Sequence, residues 1–176
     1  PCTPGTTSAP DIIGSWIKTN VETNGDYGIK KTVADGWGDS GATSTRSIVG
    51  EGQLDFKCDD GYTIIGLSNH NNPIKDHTGQ NAVDCGVYCY NNKFYTTYPG
   101  ARTTWRVGTT ARNGTFIASN IPFSSTDKIS LKKEGRKVTL LRNNNPVSGL
   151  PSCTLPGATA SPVKAGVALH SYGKGI

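Results

Sequence analysis

The chain has 176 residues, of which 34% are hydrophobic, and it carries 22 Gly, 10 Pro and a formal net charge of +5. This length fits one domain with a sizeable core, and the Gly and Pro content is typical of an all-β protein with many turns. A membrane helix is excluded because no stretch approaches the roughly 18 to 20 consecutive apolar residues that it needs.

The first ten residues, PCTPGTTSAP, are small, polar and rich in proline. This composition predicts a flexible tail or linker over 1–10, followed by a single β-sandwich domain over 11–176. The chain contains no Met and starts at Pro1-Cys2. We therefore expect a mature secreted product from which a signal peptide has been removed, with a trimmed piece of chain as the alternative.

Short alternating segments separated by turn residues recur along the whole chain, which favours a two-sheet antiparallel jelly-roll sandwich. No apolar run keeps a 3.6-residue period over three turns, so we predict no helix. The clearest hairpin joins 127–133 to 136–142 across Glu134-Gly135. The predicted strands are 15–21, 27–33, 42–49, 52–58, 62–68, 82–90, 93–98, 103–107, 115–118, 127–133, 136–142 and 164–171.

The longest segment without strand character, 69–81, is almost wholly polar, and long loops on rigid sheets commonly bind ligands. A sugar site combines polar groups that bond to hydroxyls with an aromatic ring that stacks on the sugar. Tyr88 and Tyr90 are predicted to face away from the core, where they would either bind a ligand or lie under another strand or subunit. The glycan-binding candidates are His70, Asn72, Asp76, Tyr88, Tyr90 and Tyr95.

Two further sites are predicted from short local patterns. Asp59, Asp60 and Asp76 are weak calcium candidates because carboxylate oxygens suit that ion, and no other cofactor or metal is expected. Asn113 begins the sequon Asn-Gly-Thr in a predicted turn and would be glycosylated in a secreted eukaryotic protein.

Five cysteines in a β-rich chain favour an oxidising, extracellular compartment. Cys85 and Cys89 lie four residues apart on one predicted strand, so their Cα atoms would be roughly 13 Å apart. That separation exceeds the limit of about 7 Å for a disulfide. We predict the pairs Cys58–Cys89 and Cys2–Cys153, with one cysteine left unpaired or bonded to another molecule.

The charge is unevenly distributed. Residues 1–90 contain six Lys/Arg and eleven Asp/Glu, whereas residues 91–176 contain twelve and two. The basic side chains are typical of a solvated hairpin, and the alternatives are a polyanion-binding face or attraction between unlike ends of two copies. Nucleic acid is not expected because no recognition helix or aromatic motif accompanies the charge. The polyanion-binding candidates are Lys132, Lys133, Arg136, Lys137 and Arg142.

Several blocks together resemble a known family. They are KTVADGWGDSGATS at 31–44, GQLDF at 52–56, IGLS at 65–68, VDCGVY at 83–88, KVTLLRNN at 137–144 and AGVAL at 165–169. Over about residues 15–172 the chain is similar to extracellular domains of the concanavalin A-like lectin/glucanase superfamily with a SPRY-like strand arrangement. The resemblance implies this fold, core-facing Cys85 and Cys89, and a closing strand that is short or supplied from elsewhere.

A glycoside hydrolase of this superfamily needs paired carboxylates on one strand. The chain has three Glu, at 22, 51 and 134, and none has such a partner. We therefore predict a secreted or cell-surface binding module without enzymatic activity, of lectin-like or adhesive type, whose partners are glycans or acidic polysaccharide. The first alternative is a structural subunit of an extracellular filament, matrix or coat that self-associates through its edge strand or N-terminal tail. The second is a glycoside hydrolase.

Overall fold

The computed structural model describes residues 16–24, 28–36, 40–58, 62–69, 83–90, 92–97, 121–148, 152–171 and 173–176. These residues contain only strands and turns, as the lack of helical periodicity predicts. The strands are β1 (Trp16–Thr19), β2 (Val21–Asn24), β3 (Gly28–Lys31), β4 (Gly41–Ser44), β5 (Gly52–Phe56), β6 (Thr63–Ser68), β7 (Cys85–Tyr90), β8 (Lys93–Thr97), β9 (Ile121–Pro122), β10 (Ile129–Glu134), β11 (Lys137–Arg142), β12 (Asn145–Pro146), β13 (Cys153–Thr154) and β14 (Lys164–Leu169).

The strands form two main antiparallel sheets and one separate hairpin. The larger sheet has seven strands in the order β1-β4-β14-β6-β7-β8-β9. The smaller has the order β12-β11-β10-β5, with β13 also paired to β11, and β2 pairs with β3 as a separate hairpin. The two main sheets pack face to face as a sandwich, which confirms the predicted fold class.

A single apolar core lies between the two sheets because inward and outward side chains alternate along the strands. In β7, Cys85, Val87 and Cys89 face this core, whereas Tyr88 belongs to a separate cluster on the opposite face. Each fully buried aliphatic side chain stabilises the fold by about 1.5 to 3 kcal/mol. The core aliphatic residues from the two sheets include Leu54, Ile65, Leu67, Val87, Leu131, Val138, Leu140 and Val167.

The predicted hairpin is present as β10 and β11, with Glu134 opposite Lys137. Gly135 has a φ of 59°, a left-handed conformation that glycine adopts without a steric penalty, so the tight turn forms at this position. The other strands predicted within the described residues are also found, although with shifted ends. The predicted strands 103–107 and 115–118 lie outside the described residues.

The first predicted strand, 15–21, is divided in the structure. β1 belongs to the seven-stranded sheet and β2 to the hairpin with β3. Asn20 between them has a φ of 51°, which asparagine tolerates better than most residues. This local reversal of the backbone moves the chain from one sheet to the next.

The structure does not leave the closing strand, β14, as an open edge of a sheet, so self-association through that strand is not supported. β14 lies inside the seven-stranded sheet, between β4 and β6. Residues beyond it continue beside β3, where Ile29 N donates to Ile176 O at 3.3 Å and Ile176 N donates to Ile29 O at 3.1 Å. Backbone N–H and C=O groups at the end of the chain are therefore bonded within the chain and do not offer a template for a strand of another molecule.

Two disulfides join β7 to the opposite part of the sandwich. Cys58–Cys89 is present as predicted, with Cα atoms 6.0 Å apart. The predicted Cys2–Cys153 pair is wrong, because Cys153 bonds to Cys85 with a Cα–Cα distance of 5.8 Å. Both cysteines of β7 face the core, as the family resemblance implies, and meet cysteines from the facing side. Cys2 itself lies outside the described residues.

Candidate functional site

Three ring-bearing residues align across three neighbouring strands on the outer face of the seven-stranded sheet, the face turned away from the main core. Tyr62 directly precedes β6, Tyr90 ends β7 and His170 directly follows β14. The strand register places Thr63 opposite both Cys89 and Leu169, so Tyr62 comes to lie between Tyr90 and His170. We call His170, Tyr62 and Tyr90 the aromatic row.

The rings of the aromatic row are in direct contact. The centroids of Tyr62 and Tyr90 are 4.5 Å apart with an interplanar angle of 38°, and those of Tyr62 and His170 are 4.8 Å apart with an angle of 39°. The backbone supports the arrangement, because His170 N donates to Tyr62 O at 3.0 Å. All three residues are partly exposed. The row is thus a continuous aromatic surface that reaches solvent.

Hydrogen bonding joins two of the three side chains. The hydrogen bond with Tyr90 raises the pKa of Tyr62, and desolvation acts in the same direction. The Tyr62 hydroxyl therefore stays neutral at physiological pH, and the oxygen atoms of both tyrosines keep lone pairs that can accept a hydrogen bond from a ligand hydroxyl.

Tyr88 lies two residues before Tyr90 on the same face of β7 and supports the aromatic row. Its ring stacks on Tyr90 at 5.9 Å with an interplanar angle of 7°, and only 4% of the residue is exposed. It packs in a small apolar cluster with Ile64, Val83 and Ala168. Tyr88 thus faces away from the main core as predicted, but it forms the base of the surface and not its exposed part.

A lysine extends the aromatic row onto a fourth strand. Lys93 begins β8 and is the register partner of Tyr90, the last residue of β7. Asn92, directly before Lys93, has a φ of 53°. Directly opposed residues of antiparallel strands share a face, so the partly exposed Lys93 is next to Tyr90 on the outer face of the sheet.

The remaining glycan-binding candidates are not placed at this site. Tyr95 is the register partner of Tyr88, but its side chain is outside the described part. His70, Asn72 and Asp76 also lie outside it. Tyr62 and His170 were missed from the sequence, because only the pairing of distant strands brings them together. The one signal in the sequence is that each of these residues stands at or near the end of a predicted strand, as Tyr90 does.

The basic hairpin is less available than the sequence suggests. Lys133 is only 1% exposed, and its Nζ donates to Gly50 O at 2.5 Å. Burial lowers its pKa, an effect that nearby Glu51 opposes. Lys133 points inward because it alternates with Lys132 and Glu134 along β10. The prediction that Lys133 belongs to an exposed polyanion-binding face is therefore wrong.

Three other hairpin candidates have protein partners, and Lys137 is exposed. Lys132 Nζ pairs with Glu134 Oε1 at 2.7 Å, and Arg142 Nη2 pairs with Asp127 Oδ2 at 2.8 Å. Arg136 Nε donates to the carbonyl oxygen of Leu155 at 2.8 Å. An acidic polysaccharide would have to compete with these contacts.

Asp55, on the outer face of the five-stranded sheet, has a structural role. Its carboxylate accepts hydrogen bonds from Ser130 Oγ and Gln53 Nε2, both at 2.6 Å, and pairs with Lys128 Nζ at 2.8 Å. Burial alone would raise its pKa, but these three partners together lower it. A carboxyl group held ionised in this way does not suit the general acid of a glycosidase.

The metal and glycosylation predictions are not tested by the described residues. Asp59, Asp60, Asp76 and Asn113 all lie outside them. Where the chain is described, no group of three or more His, Cys, Asp or Glu side chains is arranged to hold a metal ion. Within the same residues no helix could cross a membrane.

Solved structures with similar backbones identify the fold. The PSpry domain of TRIM65 aligns with a TM-score of 0.55 at 11% identity, over 92% of this chain and 84% of that one. The SPRY domain of human HERC1 aligns with a TM-score of 0.51 at 12% identity, over 90% and 89%. The chain therefore has a SPRY-like, concanavalin A-like β-sandwich fold.

A third structure, the carbohydrate-binding module CBM66 from Bacillus subtilis, covers 92% of this chain and 94% of that one at 12% identity. Its TM-score of 0.43 is too low to support an argument. No family model matches the chain. No curated protein matches it either.

Proposed function

We propose that this protein is an extracellular, non-enzymatic module that binds glycans through the aromatic row. The observation that carries the proposal is the contact of Tyr62 with both Tyr90 and His170, at centroid distances of 4.5 and 4.8 Å, on a partly exposed sheet face. Aromatic rings offer a flat apolar surface for the C–H groups of a sugar, while hydroxyl and imidazole groups bond to its hydroxyls.

The aromatic row is preorganised, which favours binding because little side-chain freedom is lost on contact. Tyr90 is the last residue of a strand whose inward side carries both Cys85 and Cys89. Tyr88 packs beneath it with almost no exposed surface. A site built on sheet strands and held by disulfides presents its rings at fixed spacing.

A glycan array followed by calorimetric titration tests the proposal. The protein should bind a subset of oligosaccharides, and Tyr62→Ala should weaken binding of the best ligand at least tenfold. Tyr62→Phe keeps the ring and is the matched control, so it should retain most of the affinity. Unchanged affinity in folded Tyr62→Ala, or no glycan bound by the native protein, would reject the proposal.

A second candidate, a structural subunit, is favoured by the edge at β5. In the described part of the chain, β5 pairs with β10 on one side and ends the five-stranded sheet on the other. Asp55 and the following Lys57 are both exposed. If two copies paired antiparallel about Phe56, Asp55 of each copy would face Lys57 of the other.

Light scattering at increasing concentration tests this second candidate. Self-association should weaken in Lys57→Asp, which places like charges opposite each other, and should not change in Lys137→Asp on another strand. Deletion of residues 1–10 separates this route from the predicted role of the tail. A monomer at all concentrations would reject both routes.

A further inference from the structure

We infer that the aromatic row takes an acidic sugar, whose negative group is bound by Lys93. This inference rests on the proposed glycan-binding function and adds the chemical class of the ligand. It comes from the position of Lys93 next to Tyr90 at the end of the β7–β8 hairpin.

Lys93 is placed by the backbone and not by a flexible loop. It forms the terminal register pair of the hairpin with Tyr90, and its other neighbour is Pro122 of β9. Strands on both sides therefore hold its Cα in position. Directly opposed side chains have Cβ atoms roughly 4.5 to 5.5 Å apart, so the lysine side chain begins next to that of Tyr90 on the same face of the sheet.

The ammonium group of Lys93 has no described acidic partner. The carboxylates of Glu22, Asp55, Asp127 and Glu134 are engaged by other cations. In the described residues none of the ion pairs includes Lys93. Within the described residues the group is available to a negatively charged ligand, whereas Lys133 of the basic hairpin is buried and three other hairpin cations, Lys132, Arg136 and Arg142, have protein partners.

The chemistry of the row then selects a class of ligand. A sugar ring stacked on Tyr62 and Tyr90 would place an equatorial or exocyclic substituent toward Lys93 at one end of the row. At the other end His170 offers ring nitrogens, one of which lies 3.4 Å from Ser171 Oγ. An ammonium ion prefers a carboxylate or a sulfate to a neutral hydroxyl, because the resulting hydrogen bond is charge-assisted.

Acidic polysaccharide was also a sequence-based prediction, but for the basic hairpin of the other sheet. The structure favours a different location, because Lys133 is buried and Lys132 pairs with Glu134. At the aromatic row a cation and a stacking surface occur together, so this site would bind both the negative group and the ring of the sugar. The hairpin offers charge without a described aromatic ring.

The test uses an array of oligosaccharides printed in matched sets, with the same backbone in neutral, uronic-acid and sulfated forms. We expect preference for one acidic form. Lys93→Gln should lower affinity for that form about 5- to 30-fold, which corresponds to one or two kcal/mol, and leave neutral glycans unaffected. Lys93→Arg should restore most of the loss. Lys18→Gln, at an exposed lysine of β1 on the far edge of the same sheet, is the matched control and should have no effect.

The outcomes separate this inference from the proposed function. If neutral and acidic forms bind equally and Lys93→Gln changes neither, the inference fails while glycan binding stands. If acidic forms bind but Tyr62→Ala has no effect, charge alone explains retention and both ideas fail. If no form binds, both also fail. The preferred acidic form distinguishes a carboxylate from a sulfate ligand.

Discussion

The double variant Cys85→Ala/Cys153→Ala tests how the sandwich is held together. The disulfide joins residues 68 positions apart in sequence and links β7 to β13 across the core. In the chain-entropy model, closing a loop of this length removes about 4.4 kcal/mol of unfolded-state entropy at 25 °C. The pair Cys58–Cys89 closes a loop of 31 residues and gives about 3.7 kcal/mol by the same relation.

Urea unfolding followed by tryptophan fluorescence measures the effect. Given a urea dependence of about 2 kcal/mol per molar, the variant should unfold at a midpoint lower by roughly 2 M. Cys58→Ala/Cys89→Ala should give a similar, slightly smaller decrease. A loss below about 1 kcal/mol for Cys85→Ala/Cys153→Ala would refute the reasoning, because the cross-link would then contribute little to the folded state.

Three further predictions concern packing, pH and charge. Gly86→Ala should lower the free energy of unfolding in urea by about 3 kcal/mol or more, because the added Cβ would meet the backbone of β6. Gly52→Ala should lower it less, because there the added Cβ would meet the side chain of Ile48, which is able to move. The backbone N–H of Ser124 donates to the Asp127 carboxylate, and this hydrogen bond chiefly lowers the pKa of Asp127 from its usual range. The ionised carboxylate therefore stabilises the folded state fully above about pH 5, and this stabilisation is lost as the pH falls through the lowered pKa. Asp127→Asn should reduce the dependence of the urea midpoint on acid pH. An unchanged pH profile of the midpoint would contradict this. Lys133→Met should leave heparin-column retention unchanged because the residue is buried, and a clear drop in retention by the folded variant would contradict the burial.

Local features of the fold were predictable from the sequence. The alternation in β10 and β11 and the glycine at 135 identify a hairpin without knowledge of any distant partner. The length of an extended strand also excluded a bond between Cys85 and Cys89, and the structure pairs each with a cysteine from outside β7. These inferences depend only on geometry within a few residues.

Features that depend on distant pairing were not predictable. The place of β14 between β4 and β6 follows from the arrangement of the whole sheet, and its sequence resembles an edge or a central strand equally well. Cys153 pairs with Cys85 because β13 joins the facing sheet, although β13 has only two residues. Tyr62 and His170 are far apart in sequence and become neighbours only through the β6–β14 register.

The site was therefore predicted only in part. Tyr90 was identified because it alternates with core residues along one strand. Lys133 was misplaced because a run of charges hides its alternation, and its inward position depends on an acceptor, Gly50 O, from a distant turn. Tyr88 faces outward as predicted, but its burial depends on Val83 and on neighbouring strands.

The central claim is that a glycan binds on the aromatic row, and NMR mapping tests it most directly. The isotope-labelled protein is titrated with the best ligand of the array while aromatic and backbone signals are recorded. The largest shifts are expected in the rings of Tyr62, Tyr90 and His170, with smaller changes at Lys93. Shifts confined to the five-stranded sheet, with the signals of the aromatic row unchanged, would contradict it.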